Sequence, residues 1–371
     1  MAINYADKHA GKIDEVLAAE SITDVAVNKD YDFTGVRTIK IHSVPTVGMN
    51  DYTRSGLSRY GMPSELEDNV QEVSCTQDRS FTFTVDKGNS EEDAALNAGR
   101  ATERQLKQVV APERDKYRLG VMVKKAQTTL YGAYKGNGAT GPYECILDLN
   151  KAVDDNNAPG SGRVCFVSSA FRKALKLDAN FVKASDMAQE MLIKGQIGEV
   201  DGLPILKDCG RLPKGVAALV THPIATTAPN KLAEEKLHID PPGISGALVE
   251  GRYIYDAFVL DNKACCIAVL RGELAALTVT NAAGASGKTK FTDVSGHKQV
   301  QLDMGTLCYK IASTVAAPAL GDDLSNTTTY HELMLGADIA ATASHKYVVC
   351  LKDAAGKCIG VSAVGTVAVG A

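Results

Sequence analysis

The sequence predicts an α+β fold with a β module appended at its C-terminal end, and three observations lead there. Short runs alternate apolar and polar residues: Phe81, Phe83 and Val85 interleave with Thr82, Thr84 and Asp86, which is the period of a half-buried strand. The stretch 91–126 instead places Leu96, Leu106, Val109, Val110, Tyr117 and Val121 near helical spacing, with acidic residues opening it and basic ones closing it. At about residue 273 the composition shifts: residues 273–371 hold seven Lys, six Asp, two Glu, eighteen Ala and no Arg.

The first residues, 4–20, set Ala10, Ile13, Val16 and Leu17 on one helical face. A helix this short is marginal alone, so this arm needs a surface to lie against. Ile39 and Ile41 alternate with Lys40 and His42 and predict a strand, and SFTFTVDKGN predicts a second. Between them runs a Gly-, Ser-, Asn- and Asp-rich excursion broken by Pro45 and Pro63. It is too long for an ordinary loop, so it is expected to be a flap or a strand pair that finds its partner elsewhere. In the helical stretch Pro112 removes a backbone donor and is expected to kink it.

GRVCFVSSAFRKALKL reads as strand into helix, and DMAQEMLIKG as a short helix ended by Gly195. GQIGEVDGLPILKD reads as a strand pair and GVAALVTHPIA as a buried strand. NKLAEEKLHID has a helical character, and RYIYDAFVLDNKACCIAVL predicts two apolar strands around Asp261, Asn262 and Lys263. Beyond residue 273, TKFTDV, LCYKIAS, KYVVCLKD and CIGVSAVGTVAV are short alternating runs separated by turn residues. They predict a separate small β-sandwich.

Composition excludes several functional classes. The 371 residues carry 40 Lys plus Arg against 44 Asp plus Glu, a net charge of -4, which argues against a simple electrostatic nucleic-acid binder. Aromatics make up 6% and Trp is absent, so recognition through Trp stacking loses weight. The nine cysteines form no CxxC pair and no zinc spacing with histidine, and are expected to be reduced and buried. With no apolar signal segment and no run of about eighteen apolar residues, the chain is expected to fold in a cytoplasm, away from membranes.

No motif assembles into an active site. AAGASGKT, Ala282 to Thr289, matches a phosphate-binding loop except at Ala282, but alternating KFTDVSG follows where a helix is required, so a hairpin turn is expected. His331 and Glu332 begin a metalloprotease-like motif in which Leu335 replaces the second histidine. PGSGR at 159–163 lacks the spacing of a nucleophile elbow. Cys265 and Cys266 are expected on opposite faces of an apolar strand as structural thiols. Glu91/Glu92 and Glu234/Glu235 are expected at helix starts or on polar helix faces. No catalytic, cofactor-binding or metal-ligating residue is assigned, and no cofactor is expected.

What stands out is architectural, and it carries a resemblance. DFTGVRTIKIHSVPTVGMNDYTRSGLSRYG, VQEVSCTQDRSFTFTVDKGNSEED and GRYIYDAFVLDNKACCIAV, in this order around a long helix, resemble the major capsid proteins of tailed bacteriophages, those of the Hong Kong ninety-seven type, in particular from phages of Gram-positive bacteria. The likeness spans residues 1–272. It implies an N-terminal arm over 1–35 and an extended β-hairpin loop with flanking strands over 36–90. It further implies a peripheral domain with a spine helix over 91–145 and 245–272, and an axial domain over 146–244. Residues 273–371 would be an Ig-like β-sandwich, either exposed on the surface as a decoration that clamps or adheres, or a plain spacer. The implied function is self-assembly into pentamers and hexamers of an icosahedral head shell around double-stranded DNA, without sequence specificity. A portal protein and a separate scaffolding protein would be partners, with assembly in the bacterial host cytoplasm, no proteolytic maturation, and a final place in the virion.

Some members of that family crosslink their shells through a lysine in the extended loop, but no Lys lies between Lys40 and Lys87, so no crosslink is expected. The alternatives are a shell protein of a bacterial nanocompartment with the same fold and, from another class, a nucleotide-binding enzyme built on residues 282–289.

Overall fold

The alternating runs and the helical stripe become strands and helix in the computed structural model, which describes residues 21–31, 38–63, 65, 66, 68–87, 98–135, 139–178, 180, 181, 196–239 and 241–370. The arm helix expected over 4–20, the opening of the stripe at 91–97 with Glu91 and Glu92, and the helix expected at 186–195 lie outside the described residues.

Strand β1 (Thr38–Ser43) pairs antiparallel with β2 (Asn69–Ser74), Thr38 opposite Ser74 and Ser43 opposite Asn69. The long excursion is thus clamped at both ends by its own flanking strands. β3 (Gln77–Asp86) then alternates in burial as its sequence predicts. The helical run comprises α1 (Ala98–Gln105), a π turn at Leu106–Val110 and α2 (Ala111–Lys125). The break expected at Pro112 takes the form of that π turn: Ala111 donates its N–H to the Leu106 carbonyl, and Pro112, which has no N–H to give, falls in the first turn of α2.

β4 (Thr128–Tyr131) leads to α3 (Pro142–Asp154), β5 (Val164–Val167) and α4 (Ser169–Lys176), whose N-cap Ser168 side chain accepts from the Phe171 N–H. β6 (Gln196–Val200), β7 (Leu203–Lys207) and β8 (Val216–Thr221) follow, then β9 (Thr226–Thr227), β10 (Asn230–Ile239), β11 (Gly246–Tyr255), β12 (Phe258–Val259) and β13 (Ala268–Arg271). Six of these strands form one mixed sheet in the order β4-β13-β8-β5-β7-β6. Its central strands are buried on both sides, which explains their continuous apolar runs. Cys165, Val167, Ala218 and Leu270 pack with Ile146, Leu149, Phe171 and Leu175 of α3 and α4. Phe166, Leu219 and Val269 join the other core, with Leu119 and Met122 of α2.

Two expectations are corrected. The helix expected at NKLAEEKLHID is strand β10, in a three-stranded antiparallel sheet ordered β10-β11-β3. Its Glu and Lys content favours helix, but Leu232 and Leu237 are five residues apart and share no helical face, while pairing places Glu234 opposite Arg252 and Lys236 opposite Glu250. Glu234 and Glu235 therefore lie on a strand, where Glu235 accepts from the Tyr253 hydroxyl at 2.6 Å. The second correction concerns DNKACC, which is a 3-10 helix over Asp261–Cys266 rather than a hairpin turn with Cys265 and Cys266 in a strand. The flanking strands do not pair with each other: β11 joins β3 and β10, and β13 joins β4 and β8. Both sheets draw strands from either side of the sequence positions 145 and 244.

From residue 275 the described chain is strand and turn: β14 (Ala275–Ala283), β15 (Lys288–Ser295), β16 (Lys298–Gln299), β17 (Leu302–Asp303), β18 (Thr306–Ala312), β19 (His331–Glu332), β20 (Asp338–Ala340), β21 (Lys346–Lys352), β22 (Cys358–Ser362) and β23 (Gly365–Thr366). β14 pairs with β22 through Ala275–Leu277 and with β15 through Thr278–Ala283, so it joins the two halves of one eight-stranded sheet. The ring of Phe291 on β15 lies 5.0 Å from Tyr347 of β21 and 6.1 Å from Tyr309 of β18.

This module packs against the rest of the chain. It shares a core with the rest of the chain, and a Cβ on Gly120 of α2 would come within 3.2 Å of Leu302. The Gln299 side-chain amide donates to the carbonyls of Lys116 at 2.6 Å and Arg211 at 3.0 Å.

Candidate assembly surface

The excursion between β1 and β2 concentrates apolar surface that no other described residue covers. Half of the large hydrophobic side chains that are exposed among the described residues fall between residues 44 and 70, including Val44, Val47, Met49, Tyr52, Leu57, Tyr60 and Met62. Met49 and Leu57 are 102% and 98% exposed and Tyr60 84%. Scattered exposed apolar residues are normal, whereas this density in one segment marks a surface meant to be buried by a partner.

Local geometry keeps the segment extended yet shaped. At its tip the Thr53 N–H donates to the Arg59 carbonyl at 3.1 Å and the Gly61 N–H to the Ser58 carbonyl at 2.9 Å. Gly56 and Gly61 have φ of +93° and +88°, values that glycine adopts freely, and Tyr52 meets Tyr60 edge to face at 5.0 Å. The base is tied down. Ile41 packs with Phe258 and Leu260, and Gln71 donates to the Val259 carbonyl at 3.1 Å while accepting from the Asp261 N–H. Asp256 accepts from the N–H and hydroxyl of Thr76, at 2.8 and 2.9 Å, and from the Tyr117 hydroxyl at 2.7 Å. Burial, with the Asp256 carboxylate alongside, holds the Tyr117 phenol far above its usual range, so it acts as a donor. A fixed stem with a free apolar tip can dock on a surface outside this chain.

A second polar cluster holds the residues before β1. Asp115 of α2, fully buried, accepts from the Ser21 hydroxyl at 2.7 Å, the Ile22 N–H at 2.9 Å and the Thr23 hydroxyl at 2.5 Å, and pairs with Arg211. Arg118, one turn on, reaches Asp24 at 2.7 Å and Thr23 at 3.0 Å. Sequence reading did not single out these residues. The one available signal was a charge at the apolar-spaced face of the helix.

The residues weighed for chemistry stay apart. Ala282–Thr289 spans the end of β14, a turn and the start of β15, closed by Gly284 donating to the Lys288 carbonyl, with Gly287 at φ +72°. This is the expected hairpin, and it lacks the helix N-terminus a nucleotide site needs. His331 and Glu332 are exposed on β19, and the ring of His222 bonds the Ser161 carbonyl in the PGSGR loop. Among the described residues no group of three or more His, Cys, Asp or Glu could hold a metal ion, and no helix is long and apolar enough to cross a membrane. All nine thiols are free; six are buried as expected, Cys75 and Cys265 are half-buried, and Cys209 is exposed.

No protein-family model matches the sequence, and no curated protein matches it. Solved structures do. A Mycobacterium phage Che8 structure superposes with a TM-score of 0.58 at 18% identity, over 73% of this chain and 99% of its own. The capsid of cyanophage P-SCSP1u gives 0.56 at 12% identity, over 72% and 92%, and the head structure of Helicobacter pylori bacteriophage KHP40 gives 0.56 at 12%, over 72% and 94%. The chain has a phage capsid fold. The neighbours are covered almost end to end, and the share of this chain left over is close to that contributed by residues 273–371.

Proposed function

We propose that this chain is the major capsid protein of a tailed phage, assembling as pentamers and hexamers into an icosahedral head shell that encloses double-stranded DNA. The observation that carries the reading is the extended segment 44–68, anchored at its stem and apolar at its tip, in a chain with a capsid fold. The tip lies across a neighbouring subunit, where its side chains lose their exposure; each interface is modest, and closure follows from repeating it with near-equivalent geometry. On this reading the partners are further copies of the chain, a scaffolding protein and a portal. DNA is contained rather than held, which a net charge of -4 suits better than a basic surface. Residues 273–371 face outward as a decoration built onto the subunit through α2.

Electron microscopy of the purified full chain tests the proposal. Shells, tubes or hexameric sheets are the expected particles; a monomer under every assembly condition tried would refute it.

A further inference from the structure

Where the C-terminal module meets α2 and the six-stranded sheet, a cavity of about 400 Å³ opens, and its charged lining is of one sign. Lys116, Arg211, Lys214, Arg271 and Lys298 face it, and no carboxylate does. Arg211 is spent on Asp115 and Lys298 reaches Asp303 at 3.5 Å, whereas Lys116 and Lys214, both exposed, make no ion pair among the described residues.

Arg271 is the unusual member. It ends β13, is 4% exposed, and its buried Nε has no hydrogen-bond partner. Burying a guanidinium is costly unless its donors are satisfied, and its forked geometry matches the paired oxygens of a tetrahedral oxyanion. Asp353 is the carboxylate whose charge acts on it, yet Asp353 is itself committed to the Tyr131 hydroxyl and to the N–H groups of Ala355 and Lys357 at 3.0 and 2.9 Å. Arg271 thus feels the Asp353 charge but makes no ion pair with it, and on the side of this cavity it faces only cations.

We propose that this seam is an anion-binding site for phosphate chemistry, with Arg271 as the buried anchor and Lys116, Lys214 and Lys298 as the rim. The bound anion bridges the C-terminal module and the preceding part of the chain, because Lys298 belongs to the first and Lys116, Lys214 and Arg271 to the second. Free phosphate and a nucleic-acid phosphodiester present the same oxygens, and the test separates them. The inference goes beyond the capsid reading and does not depend on it.

The experiment is calorimetric titration of the full chain with inorganic phosphate at fixed ionic strength, with the thermal unfolding midpoint followed in parallel. Saturable binding and a raised midpoint are expected, with Arg271→Met abolishing both and Lys214→Met, on an exposed residue, weakening binding about tenfold at unchanged circular dichroism. A short oligothymidylate that displaces phosphate identifies a phosphodiester ligand, and one that fails to displace it identifies a free anion. Absence of binding by the folded wild-type chain, or unaltered affinity in folded Lys214→Met, overturns the site.

Discussion

Asp115 and Arg211 form an ion pair that is closed to solvent on both sides, 0% and 4% exposed, and it fastens the loop before β8 to the middle of α2. The same carboxylate receives the Ser21, Ile22 and Thr23 donors, so a single side chain holds three segments together. Removing it leaves Arg211 buried without its counter-ion. Asp115→Ala is expected to destabilise the chain by about 3–5 kcal/mol, measured as a shift of the urea midpoint at constant slope. A change within experimental error would mean that Arg211 finds another partner.

Asp24 should make stability depend on acid. Burial pushes its carboxyl pKa up, but the hydrogen bond and positive charge of Arg118 outweigh that and hold it below the usual carboxylate range. A depressed folded-state pKa contributes stability that is present above the unfolded pKa and is lost as pH falls through the folded one. Thermal midpoints of the wild type and Asp24→Asn should therefore differ at neutral pH and converge in acid; parallel curves would remove Asp24 from the account.

Gln299 ties the C-terminal module to α2 and to the Arg211 loop through one side-chain amide. Gln299→Ala is expected to cost about 1–2 kcal/mol, two ordinary hydrogen bonds, and to speed proteolysis at the seam. Deleting residues 273–371 is a poorer probe of decoration, because it would strip apolar partners from the face of α2 around Gly120. Equal proteolysis rates in the two proteins would show that the seam does not rely on this contact.

Leu57→Asp should separate assembly from folding. Covering one such side chain contributes about 1.5–3 kcal/mol, so the critical concentration for assembly should rise about tenfold or more. The unfolding midpoint should hold, since Leu57 touches no core. Sedimentation of assembly reactions reads the first and circular dichroism the second. Normal particles at the wild-type concentration would place the tip outside the interface.

With no lysine anywhere from residue 41 to 86, the extended segment has no amine with which to form an isopeptide bond. Mature particles boiled in denaturant should run as a single band of 39.2 kDa subunits. A ladder of covalent multimers would contradict this.

Local grammar was legible from the residues alone. Alternation located β1, β3, β15, β18, β21 and β22, helical spacing located α2, and the missing helix after Lys288 made AAGASGKT a turn, because each of these signals depends on neighbours a few residues away. Tertiary structure decided what local signals cannot encode. Asn230–Ile239 is a strand because β11 offers it a partner, DNKACC coils because its flanking strands belong to different sheets, and Arg271 becomes a buried, unpaired cation only where β13 meets the module. Pairing energy, burial and charge at these positions depend on residues outside the local window, from β11 following β10 to β3 and α2 far from it in sequence, brought together when the chain packs.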